Sequence, residues 1–68
     1  MKKLFLIINP NDVKESHKRL STLEGTFILP NVYKIKVADE DIESAINGLE
    51  HLLIDIDFHA IINDVFSN

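Results

Sequence analysis

Apolar residues run without a break from Leu4 to Ile8, behind Lys2-Lys3 and ahead of Asn9-Pro10. The shortness of the run and its paired isoleucines predict a strand over Lys2–Ile8. Apolar on both faces, that strand requires cover on both faces. The period then changes. Asn9 can cap a helix that carries Pro10 in its first turn, and Val13, Leu20 and Leu23, with His17 in the gap, mark a thin stripe from about Pro10 to Glu24. Gly25 is expected to stop this helix in the left-handed conformation. Thr26 to Leu29 reads as a short strand, Pro30-Asn31 as a turn, and Val32 to Val37 as a third strand. Tyr33, Ile35 and Val37 share one of its faces; Val32, Lys34 and Lys36 share the other. Asp39 or Asp41 opens a second helix, in which Ile42, Ala45, Ile46, Leu49, Leu52 and Leu53 recur at helical spacing. Gly48 weakens it by roughly 1 kcal/mol relative to alanine. Phe58, Ala60 and Ile62 alternate with His59, Ile61 and Asn63 as a fourth strand. A turn at Asn63-Asp64 is expected ahead of an apolar tail, Val65-Phe66.

The order βαββαβ is the ferredoxin-like plan, an α+β fold with a four-stranded antiparallel sheet and two helices on one face. Residues 1–68 are expected to make one such domain. Right-handed crossovers put the first and third strands in the middle of the sheet. Along the first strand, either Phe5 and Ile7 or Leu4, Leu6 and Ile8 meet the helices, and the other set faces outward. With Leu4, Leu6 and Ile8 outward, they join Ile61, Val65 and Phe66 as a candidate interface between two copies. Monomers rarely carry an open apolar face of that content.

Composition adds constraints. A chain of 68 residues buries a small core, and without cysteine it has no disulfide or thiolate metal site to staple it. The N-terminal apolar run is too short for a signal-peptide core or a membrane span, so the expectation is a cytoplasmic protein with no membrane partner. The net charge is −4 and the charges are segregated. All seven basic residues lie in 1–37 with three acids, Asp12, Glu15 and Glu24; the other eight of the eleven acids lie in 38–68. Overall acidity makes nucleic acid a lesser expectation than a protein partner.

Candidate chemistry is sparse. His17 is expected to pack its ring on the first helix and His51 to be solvated. Asp57 and His59 share a strand face and could pair as carboxylate and imidazole. Asp39, Glu40, Asp41 and Glu43 lack calcium-loop spacing and suit a helix start, so neither a metal nor another cofactor is expected. Lys14, Lys18 and Arg19 are the candidate phosphate contacts on the first helix. A single-strand platform needs exposed aromatics on central strands, for which Phe5 and Tyr33 are the candidates.

Taken together, Phe5-Leu6-Ile7-Ile8 with its polar turn, Gly25 before a short strand, Pro30-Asn31-Val32-Tyr33-Lys34-Ile35, the Asp39–Leu53 helix and Phe58-His59-Ala60-Ile61-Ile62 give a layout that resembles the CRISPR-associated spacer-acquisition nuclease subunit and VapD-type toxins. The resemblance implies a dimer through the sheet and a link to phage, plasmid or defence systems. That family often places a metal-holding aspartate at the end of the first strand, where this chain has Asn9. The leading expectation is therefore a non-enzymatic, homodimeric protein-interaction module, a phage- or defence-associated accessory or inhibitor. The alternatives are a nucleic-acid-binding protein or degenerate metal-dependent nuclease, and a small-ligand-sensing dimer.

Overall fold

The computed structural model describes residues 1–64, with the backbone alone for Asp64. Strand β1 (Lys2–Ile8) leads through a 3-10 turn, Pro10–Asp12, into helix α1 (Val13–Leu20). A hairpin of β2 (Thr26–Leu29) and β3 (Val32–Val37) follows, then a second 3-10 turn, Asp39–Asp41, helix α2 (Ile42–Leu52) and strand β4 (Phe58–Asp64). The strands form one antiparallel sheet in the order β2-β3-β1-β4, so the domain is α+β.

The first helical segment is shorter than the spacing predicts. The Asn9 side chain caps only the 3-10 turn, accepting from the Asn11 N–H at 2.9 Å. The α-helix proper stops at Leu20, where Ser21 donates to the Lys18 carbonyl and the Leu23 N–H returns to the Leu20 carbonyl. Gly25 is not left-handed, because no glycine among the described residues has positive φ. Its small size is needed for a different reason. The Tyr33 hydroxyl accepts the Gly25 N–H at 2.8 Å, and a Cβ there would overlap the phenol and the Lys34 carbonyl. The left-handed residue is instead Asp55 (φ 68°), in the turn after α2, a position aspartate tolerates better than most. Strand β4 also runs further than expected. Asn63 and Asp64 do not turn but pair with Lys3 and Lys2, because β1 offers them unpaired ladder positions. Val65 and Phe66 lie outside the described residues.

Register decides which face of β1 is buried. Leu6 pairs with Tyr33 and Leu4 with Ile35, so these side chains share the side on which Leu20 of α1, Leu49 of α2 and Leu53 just beyond it complete one core cluster. This corrects the expected interface. Leu4, Leu6 and Ile8 are 0%, 0% and 1% exposed beneath the chain's own helices and cannot meet a second copy. Arg19 ties the two helices together. Its guanidinium donates to the Ile54 carbonyl at 2.6 Å and to Glu15 at 3.0 Å, with a longer contact to the Leu52 carbonyl, and so occupies orphan carbonyls at the end of α2.

Gly48 has nothing within 4 Å of the place a Cβ would take, so Gly48→Ala should raise stability by about 0.5–1 kcal/mol, whereas Gly25→Ala should cost about 1–3 kcal/mol, both read by urea unfolding. Burial pushes the Tyr33 phenol above its ordinary 10.0, against the smaller downward pull of the Gly25 hydrogen bond. Its folded value being the higher, the stability it lends is complete below pH 10 and is lost as pH rises through that folded value. Tyr33 is the single tyrosine and there is no tryptophan, so tyrosinate absorbance reports it alone. Tyr33→Phe should cost about 1 kcal/mol at neutral pH and remove this alkaline component.

Candidate nucleic-acid interface

Because β1 alternates, burial of Leu4, Leu6 and Ile8 turns Lys3, Phe5 and Ile7 to the side without helices. The ladders add their partners: Lys36 beside Lys3, Lys34 beside Phe5, Val32 beside Ile7, and Asn63, Ile61 and His59 across the β4 seam. Thr26 and Leu29 extend the face along β2, each side of a register shift. The result is an apolar centre with Phe5 and Ile7 part-exposed and Ile61 51% exposed, next to a cluster of three ammonium groups.

The electrostatics of this face are one-signed. Lys3 stands directly across from Lys36, and Lys34 lies two residues from Lys36 on the same side, about 7 Å away. Like charges opposite one another in a sheet are destabilising, and all three lie within one Debye length, about 10 Å. None of the outward positions on the four strands is aspartate or glutamate. Among the described residues, Lys3, Lys34 and Lys36 make no ion pair. The acids sit elsewhere. Asp39, Glu40 and Asp41 form the turn before α2, and Asp39 is held below its usual range chiefly by a hydrogen bond from the Met1 amino group, 2.9 Å away.

The residues singled out from sequence are dispersed. Lys14 and Lys18 are exposed on α1, on the helix side of the sheet, and the engagement of Arg19 with the end of α2 removes it from the phosphate-contact group. His17 stacks on Phe27 with ring centroids 3.6 Å apart, its Nε2 2.8 Å from the Pro30 carbonyl oxygen. His51 Nδ1 meets the Asn47 carbonyl one turn back. Tyr33 points into the core, edge-on to Phe27, which leaves Phe5 as the aromatic of the open face among the described residues. Asp57 does not pair with His59. Its carboxylate accepts from Asn9 Nδ2 at 3.1 Å, and its N–H donates to the Asp12 carboxylate at 3.1 Å. No three His, Asp or Glu side chains among the described residues are placed to share a metal ion. Sequence reasoning missed Lys3 and the grouping of Lys3, Lys34 and Lys36. The signal was the Val32-Lys34-Lys36 alternation, which needed the register with β1 to become a surface.

Two recesses flank the sheet. One of about 390 Å³ lies on the helix side, where Leu23, Ile35, Val37, Gly48 and Leu52 are among its walls. Its wall is apolar save for Thr22, so it lacks the convergent polar groups that orient a ligand. The other, of about 240 Å³, opens where β1 ends, between Asn9, Asn31, Asp57 and His59. No helix among the described residues is long and apolar enough to cross a membrane. No protein-family profile matches the chain, and neither a curated protein nor a solved structure is matched significantly.

Proposed function

We propose that the protein is a non-enzymatic binding module that holds single-stranded nucleic acid on the open face of its sheet. One observation carries this reading: Lys3, Lys34 and Lys36 are gathered beside Phe5 on a face with no carboxylate among the described residues. The counter-charge for such a cluster comes from outside, and a phosphate backbone supplies it while a base stacks on the phenylalanine. We also infer that the fold is ferredoxin-like. The strand order read from the β4 edge, 4-1-3-2, with antiparallel neighbours and a helix after β1 and after β3, supports this. A flat sheet with an outward aromatic on a central strand suits unpaired bases better than a duplex groove. The connection to phage or defence systems rests on the resemblance of layout alone.

Self-association through the same face is the second reading, favoured by the exposure of Ile61 beside Phe5 and Ile7. Stacking two copies would bring two lysine clusters onto one interface, so it takes second place.

Fluorescence anisotropy with a labelled single-stranded oligonucleotide tests the first reading. Three phosphate contacts imply a slope of about −2 for log K against log salt, and Lys34→Ala or Lys36→Ala should each reduce its magnitude by about 0.7. Phe5→Ala should weaken binding by about 1–3 kcal/mol. Absence of binding at low salt, with a dimer by sedimentation, would transfer the face to a second copy.

A further inference from the structure

We propose that the recess at the end of the open face seats one nucleobase bearing an exocyclic amino group, so that the bound strand is read at a single position. This deepens the single-strand reading and rests on it. The recess and the face are continuous, since Ile7 and His59 belong to both. Ile7 lies two residues beyond Phe5 on the same side of β1, about 7 Å along the strand. A strand anchored by its phosphates at the Lys3 end and stacked on Phe5 therefore delivers its next base to this recess.

The chemistry of the recess follows from which groups the fold already uses. Each amide has one of its two N–H groups engaged within the chain: Asn9 Nδ2 donates to Asp57 Oδ2 and Asn31 Nδ2 to the Ile8 carbonyl, each at 3.1 Å. Asn9 Oδ1 accepts from the Asn11 N–H. Two acceptors remain without a partner among the described residues, Asp57 Oδ1 and Asn31 Oδ1. Asp57 Oδ1 belongs to a carboxylate and is the stronger of the two, so the ligand that fits best brings an N–H donor to it, on a strand whose phosphates meet the lysines. Cytosine and adenine present an amino group, and a carboxylate accepting from the cytosine amino group is an established pairing; thymine presents carbonyls where they present N–H. The volume, about 240 Å³, is small enough to be lined closely by one ring, with His59 as a wall.

The experiment compares oligonucleotides of equal length made of cytidine, adenosine or thymidine, by anisotropy at one fixed salt concentration. Cytidine and adenosine strands should bind about tenfold more tightly than thymidine strands. Asp57→Asn keeps an acceptor for Asn9 but puts a donor in the recess, so it should abolish or invert that preference while leaving the salt slope unchanged. In the unmutated protein, the side-chain amide resonances of Asn9 and Asn31 should shift on adding the cytidine strand and move little with the thymidine strand. That measurement stands even if Asp57→Asn fails to fold. Equal affinity for all three strands overturns the base-reading recess and leaves open-face binding intact. Failure of every strand to bind overturns both.

Discussion

Strand β1 has two apolar faces, and the described residues supply helices for only one of them. Everything else about the molecule follows from that mismatch. Leu4, Leu6 and Ile8 take the covered side, where Leu20, Leu49, Leu53 and Tyr33 close the core. Phe5 and Ile7 are left on the other side, with whatever the neighbouring strands place beside them. Because β3 alternates, its lysines come with Phe5 and not with the core. A face that would be a simple hydrophobic patch on β1 alone becomes a mixed surface, and its cations change what it can bind.

The segregation of charge along the chain is thereby translated into space. The basic half supplies β1 and the β2–β3 hairpin, and three of its four strand lysines, Lys3, Lys34 and Lys36, gather on the open side. The acidic half supplies the turn before α2 and the helix itself, on the other side. Net charge is a poor guide to partners in such a molecule, because the field near a bound ligand is set by the nearest groups. A total of −4 conceals a locally cationic sheet.

Much of the architecture was legible in the sequence. The six elements and their types follow from the apolar run at Leu4–Ile8, the alternation in Val32–Val37 and the helical spacing from Ile42 to Leu53. Their antiparallel four-stranded arrangement is as expected for an α+β chain. The orientation of β1 was not legible, because both of its alternating sets are apolar and periodicity carries no sign. Only the pairing of Leu6 with Tyr33 fixes it, and pairing is a tertiary fact. Gly25 was misread because a glycine after a helix usually marks a left-handed turn, while here a phenol eight residues away requires the space. The phosphate contacts were sought on α1, where Lys14, Lys18 and Arg19 are close in sequence. The clustered cations come instead from three positions on two strands, invisible until the strands are in register.

The two outer strands of the sheet are unequal. β2 has four residues, carries a register shift and ends at Pro30, so its rim offers little to another chain. β4 has seven residues, and its outer row of N–H and C=O groups meets no other strand among the described residues. Of the two edges, β4 is therefore the one whose described residues better suit an added strand. A second copy joining β4 to β4 about a two-fold axis would give a continuous eight-stranded ribbon terminated at both ends by the blunted β2 rim, an assembly that closes after one step instead of propagating into a fibre.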